Sequence, residues 1–137
     1  MSWLIDTNVV SEATRRRPNA RVRRWLQEQE PLASYVSVIT VFEIELGVAR
    51  KERSDPAQGQ MLRRWAEQVI GRDFRGRVLP VEAAVASIAA RMHIPDPRPE
   101  RDALIAATAL HHNLTVVTRN VRDFAPLGVR VFDPWSG

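Results

Sequence analysis

The sequence predicts a three-layer α/β fold, with a central, mostly parallel sheet of about five short strands flanked by helices. Three observations carry that expectation. The strand candidates, such as "ASYVSV" and "TVVT", are mostly short apolar runs instead of in/out alternations, the pattern of strands covered on both faces. Segments with helical spacing of apolar residues alternate with them. No repeat or internal linker interrupts the series, so residues 1–137 are expected to form one domain.

In chain order, residues 2–6 read as a strand in which Trp3, Leu4 and Ile5 run into the polar triplet Asp6-Thr7-Asn8, after which Val9 and Val10 resume the apolar pattern. Helices are expected over 8–15 and 19–29, separated by Pro18; the second spaces Val22, Trp25, Leu26 and Gln29 along one face. "ASYVSV" (33–38) is a strand and "TVFEIELGVARK" (40–51) a helix. Met61 to Ile70 sets Leu62, Trp65, Ala66 and Val69 on one helical face, so Trp25 and Trp65 are expected in the core. "RVLPV" (77–81) is a short strand, followed by a helix from Glu82 to Met92 and the proline-rich loop "IPDPRPE". A helix over 100–112, the strand "TVVT" (115–118), a loop or turn near Asp123 and the strand "VRVF" (129–132) complete the chain.

Composition narrows the chemistry. There is no cysteine, which excludes disulfides and thiolate metal sites and leaves oxygen or imidazole as metal donors. His93, His111 and His112 show no ligand-like spacing and are given no catalytic role. The first residues lack the pattern of a signal peptide and no window is apolar enough for a membrane span, so a soluble, cytoplasmic protein is expected. Lysine and arginine together number 20 against 16 acids, a net charge of +4, and Lys51 is the sole lysine. Arginine clusters such as Arg15-Arg16-Arg17, Arg21/Arg23/Arg24 and Arg63-Arg64 suit phosphate, although a solvated basic face is the plainer explanation.

Four acids stand where open parallel sheets gather functional groups, at the carboxyl ends of strands. Asp6 closes the first strand, Glu43 lies in the first turn of the helix after "ASYVSV", Asp102 opens the helix containing "ALIAATAL", and Asp123 follows "TVVTRN". Each has a plainer explanation. Thr40-Val-Phe-Glu43 fits a capping box with Thr40 as N-cap, Asn120-Val-Arg-Asp123 imitates one, Asp6 fits a helix cap, and Asp102 complements a helix dipole. Taken together these explanations weaken, because the acids follow buried strands and precede apolar segments. Converging carboxylates repel and raise one another's pKa unless a cation neutralises them, and with oxygen donors the matched ion is Mg²⁺ or Mn²⁺.

The stretches "LIDTNVVSE", "VSVITVFEIELGVAR", "DALIAATALHHNLTVVTRNVRDF" and "VRVFDPW" resemble the PIN-domain proteins, specifically the VapC/FitB-like toxins of bacterial toxin–antitoxin pairs. The resemblance spans nearly the whole chain. It implies a metal-dependent endoribonuclease in which Asp6, Glu43, Asp102 and Asp123 hold one or two divalent ions. It also places Asn8, Ser37, Thr40, Thr118 and Asn120 beside them, positioning the carboxylates or a metal-bound water; for Ser37 a backbone-satisfied strand-end hydroxyl is an equal alternative. The family commonly has a glycine-bearing loop before its third acid. Here "RMHIPDPRPERD" is proline-rich and offers Asp96 and Glu100 as rivals to Asp102, which alone directly precedes "ALIAATAL".

By the same resemblance the expected partners are a cognate antitoxin, RNA as substrate, a second copy in a homodimer or larger assembly, and operator DNA only through the antitoxin. Two other readings compete. A phosphatase that forms an aspartyl-phosphate needs a second Asp two residues after the first, where this chain has Asn8, and a catalytic lysine. A non-cleaving nucleic-acid-binding or regulatory module accounts for the arginines but leaves the four acids unused.

Overall fold

Adjacent strand residues point to opposite faces, so the buried pairs Leu4–Ile5 and Val116–Val117 demand cover on both sides of any sheet that holds them. The computed structural model, which describes residues 1–137, provides it. Strands β1 (Trp3–Ile5), β2 (Ser34–Ser37), β3 (Val78–Leu79), β4 (Thr115–Val117) and β5 (Val131–Phe132) pair in parallel in the order β3-β2-β1-β4-β5. On one face Ile5, Val36 and Val117 pack with Val9, Val22, Ile44 and Val48; on the other Leu4 and Val116 pack with Ile105, Ala106 and Phe124. The expected three-layer α/β architecture is the one observed.

The helices are α1 (Thr7–Val10), α2 (Ala20–Glu28), α3 (Val38–Ser54), α4 (Pro56–Gln68), α5 (Ala83–Met92), α6 (Glu100–His111) and α7 (Val121–Phe124). Several depart from expectation. The first helix breaks into α1 and a 3-10 turn over Ser11–Thr14. α3 begins at Val38 because Ser37, not Thr40, is its cap: the Ser37 hydroxyl accepts the Ile39 N–H at 3.0 Å. α4 starts at Pro56 instead of Met61, since Pro at the first helical position has no N–H to lose and Asp55 caps the turn by accepting the Gln58 N–H. Asp123 lies in α7, whose preceding Asn120 makes no side-chain cap, so the capping-box imitation there does not form. Trp25 and Trp65 stay half-buried while packing on the core, Trp25 edge-on to Trp3 with ring centroids 5.1 Å apart.

Chain direction through the sheet matters more for function. β1 lies between β2 and β4, so the first crossovers build outward on one side and the chain then returns to build on the other. The reversal leaves a crevice between β1 and β4 at their carboxyl ends, the place where ligands bind in open parallel sheets.

Helices α3 and α4 pack closely enough to be tested directly. Gly59 is buried, and a Cβ there would lie 2.4 Å from the Glu52 Cα and 2.6 Å from its N. Helix propensity favours alanine by about 1 kcal/mol. Backbone cannot swing aside as a side chain can, so overpacking, about 1–3 kcal/mol, outweighs it. Gly59→Ala is therefore expected to lower the thermal midpoint, and a raised midpoint in a melting experiment would refute this packing.

Candidate functional site

The crevice between β1 and β4 is lined first by Asp6, which follows β1 and is only 4% exposed. Its backbone N–H continues the ladder to the Val117 carbonyl at 2.9 Å. Its side chain is held on both oxygens. Oδ1 accepts the Thr7 N–H at 2.8 Å, which caps α1; Oδ2 accepts the Thr118 hydroxyl at 2.7 Å and the Asn8 amide at 3.1 Å. Thr118 follows β4, so that short bond closes the crevice from both strands. Thr118 Oγ1 also accepts from the Asn120 N–H at 3.0 Å, and Asn8 Oδ1 accepts from the Arg119 N–H at 3.1 Å. Burial raises the Asp6 carboxyl above its ordinary value, the hydrogen bonds from Thr118 and Thr7 pull it back, and the Glu43 charge adds to the rise.

Glu43 projects from α3 toward the same crevice. Thr7 Oγ1 lies 2.6 Å from Glu43 Oε1 and 3.0 Å from Thr40 Oγ1. A carboxylate only accepts, so the single Thr7 proton belongs to Glu43 and the Thr40 hydroxyl supplies the second bond. Glu43 thus does not reach back to the Thr40 amide as a capping box requires. On its other oxygen, Arg101 approaches to 3.6 Å while its guanidinium lies 5.0 Å from the Phe42 ring centroid.

Asp102, in the first turn of α6, ties the group together. Its carboxyl is pushed up to about 6, chiefly by burial and then by the negative fields of Asp6, Asp123 and Glu43. All four acids identified from the sequence therefore act on one point in space. Asp96 and Glu100 are exposed and do not add to that shift. Asp123 is the most open of the four, exposed in α7. No three of these acids bring ligand oxygens within 4.8 Å of one another. An all-oxygen donor set with crowded charge fits a hard divalent cation.

Residues 3–128 match the PIN domain family. The chain belongs to the PIN-domain proteins. It is 40% identical over 137 residues to Toxin FitB of Neisseria gonorrhoeae, covering 96% of this chain and 97% of that one. The VapC ribonuclease Y4jK of Sinorhizobium fredii is 30% identical over 145 residues, with 97% of each chain covered. Among solved structures, FitAcB from Neisseria gonorrhoeae superposes with a TM-score of 0.89 at 40% identity, covering 97% of this chain and 98% of that one. FitAB bound to an IR36 DNA fragment gives 0.85 at 39% identity, covering 97% and 95%.

In this PIN domain the neighbouring polar residues divide. Asn8 and Thr118 hold Asp6 directly, and Thr40 supports Glu43 through Thr7. Ser37 caps α3, and Asn120 acts through its backbone N–H, its side chain making no cap. Thr7, Arg101 and Glu12 were missed by sequence reasoning. Thr7 stands inside the D-T-N triplet, a signal that was available. Glu12 is buried and accepts the Asn19 N–H at 2.8 Å, a structural role that joins the first helical segment to α2.

Glu82, before α5, brings a ligand atom within 4.8 Å of His111 and His112 at the far end of α6. Spacing along one segment could not reveal a carboxylate contributed by another. A wide concavity of about 810 Å³, lined by Ser2, Tyr35, His112 and Arg130 among others, holds no carboxylate and is separate from the acidic pit.

No helix is long and apolar enough to cross a membrane.

Proposed function

We propose that this PIN-domain protein is a metal-dependent endoribonuclease and the toxin of a toxin–antitoxin pair. Asp6, Glu43, Asp102 and Asp123 are the residues that would hold one or two Mg²⁺ or Mn²⁺ ions. The observation that carries this reading is the elevation of Asp102 to about 6 by burial and by all three other acids, since isolated helix caps would not feel one another. A divalent ion supplies positive charge for the oxygens on which negative charge develops during phosphodiester hydrolysis.

The chain's own residues prepare that place. Thr118 and Asn8 fix Asp6 in one rotamer, Thr7 fixes Glu43, and Arg101 balances part of the charge at the pit's edge. Likeness to Toxin FitB and a VapC ribonuclease supports the biological class. By that likeness the protein is a cytoplasmic single domain over residues 1–137, pairs with a small antitoxin, forms a homodimer or larger assembly, and meets operator DNA through the antitoxin. A non-cleaving binding module would leave the convergence of four acids without purpose.

The test is cleavage of RNA by purified protein in Mn²⁺ or Mg²⁺. Activity is expected to stop on chelation and return when the ion is restored. Undiminished cleavage after exhaustive chelation would overturn the metal reading.

A further inference from the structure

A basic groove leads away from the acidic pit. Two concavities, of about 210 Å³ and about 430 Å³, share Glu12, Arg15, Arg119 and Trp135 in their walls. The smaller reaches Asn8, the residue whose amide donates to Asp6, and the larger extends to Arg16 and Arg17. The groove therefore begins beside Asp6 and ends among arginines.

Its charge is largely unanswered. Arg15 lies 3.7 Å from the buried Glu12, whereas Arg16, Arg17 and Arg119 form no ion pair. Like charges along one wall repel one another, and an anion lying in the groove relieves that repulsion. Trp135 is held in place: its backbone N–H donates to Asp133 Oδ1 at 2.8 Å, its carbonyl accepts from Arg21 at 3.2 Å, and its indole packs against the core. The Arg119 guanidinium sits 5.0 Å from its ring centroid, and the Arg119 backbone is tied to Asn8. A fixed indole with a guanidinium beside it is a surface on which a nucleobase can stack.

Resting on the nuclease reading for the role of the pit, we propose that this groove carries the single-stranded RNA as it leaves the acids. Arg15, Arg16 and Arg17 bind its phosphates and the Arg119–Trp135 pair stacks a base. An acidic or amphipathic peptide fits less well. Trp135 is the one hydrophobic residue in each wall, and an amphipathic helix needs an apolar floor. Arginine's planar fork matches phosphate, and every base offers a π-face whatever its identity, so the groove supplies affinity and register more than sequence choice.

The experiment measures binding of a fluorescein-labelled single-stranded RNA dodecamer by anisotropy across a salt series, in an Asp6→Asn background. Cleavage of the dodecamer and of a dinucleotide is measured in the otherwise wild-type protein. Each lost phosphate contact flattens the slope of log affinity against log salt by about 0.7, so Arg16→Ala with Arg17→Ala is expected to flatten it by about 1.4. Both residues are exposed, so folding is not at stake. Trp135→Leu is expected to weaken binding roughly tenfold with the slope unchanged. In cleavage, the arginine pair variant raises KM for the dodecamer, leaves kcat unchanged and does not affect the dinucleotide.

Unchanged slope and affinity in both variants would overturn the groove while wild-type cleavage leaves the nuclease reading intact. RNA binding that depends on these residues, with no cleavage by the wild type, would instead sink the nuclease reading and leave the groove standing. Binding of poly-glutamate as tightly as RNA would overturn RNA as the occupant in favour of an acidic peptide.

Discussion

Asp6→Asn is expected to reduce RNA cleavage by at least ~10²-fold, because the ion charge it helps to hold is worth several kcal/mol in the transition state and each 1.36 kcal/mol is tenfold. The substitution removes the charge and also turns the oxygen that accepts from Asn8 and Thr118 into a donor, while the α1 cap is kept. Asp6 also caps α1 through the Thr7 N–H, but asparagine caps a helix about as well as aspartate, so that service is retained. Burial already makes ionised Asp6 unfavourable, so removing its charge is not expected to unfold the protein.

Thr118→Val provides the graded companion. It deletes the hydroxyl that donates to Asp6 Oδ2 at 2.7 Å while keeping the side-chain shape, and loss of such a supporting contact typically costs 10–100-fold, so roughly that loss is expected. The measurements are kcat/KM on a defined RNA and the melting temperature of each variant. Full activity in Asp6→Asn would show that the carboxylate does nothing beyond capping, and the four-acid centre would fall with it.

Mn²⁺ or Mg²⁺ is expected to raise the melting temperature substantially. An ion that binds only the folded state stabilises it by RT ln(1 + [L]/Kd), about 2.7 kcal/mol at a hundredfold excess over Kd. For a chain of this size that is roughly 10 °C.

Acidity should also relieve the pit in the metal-free protein. Asp102 titrates near 6 when folded, against an ordinary aspartate value of 3.8. Between those values the folded state holds the extra proton, so its burden is fully present above about 6 and relieved as pH falls toward 3.8. In the metal-free wild type this group therefore adds stability as pH drops from 6 to 4. Over the same range the metal-induced gain shrinks, because protonated ligands bind metal poorly.

Asp102→Asn removes repulsion and a ligand together. Its metal-free melting temperature is expected to exceed that of the wild type at pH 7.5, with the difference closing by pH 4, and most of the metal-induced gain is lost. If Asp102 served only the dipole of α6, the variant would instead lose up to about 1 kcal/mol with or without metal. Melting curves that ignore metal and pH at this residue would remove it from the centre.

Much of the centre was legible because its clues are local. Asp6, Glu43, Asp102 and Asp123 each stand at the polar end of an apolar segment, and the order of those segments marks strand ends where parallel sheets place their chemistry. Helix starts were harder. Thr40 and Ser37 are both hydroxyl residues able to cap α3; Thr40 instead points into the core beside Thr7, and only packing decides between two such candidates. The reading of a helix from Met61 starts five residues late, because Pro56 to Gln60 carry no large apolar residue to mark a face, whereas close approach of α3 and α4 makes a glycine necessary at position 59.

The sequence by itself determined the layered α/β architecture and singled out the four acids proposed as the centre, because residue periodicity and the need to bury consecutive apolar residues are properties of a few neighbouring positions. The tertiary structure alone decided that Asp102 lies within the fields of Asp6, Asp123 and Glu43, that Thr118 locks Asp6 from 112 residues away, and that Thr7 serves Glu43 across 36. It also gathered Glu82 with His111 and His112, and set Trp135 beside Arg119 at the mouth of a groove. The physical reason is the return of the chain to the other side of β1: strand order, a global choice made by burial of both sheet faces, fixes which distant hydroxyls and charges meet.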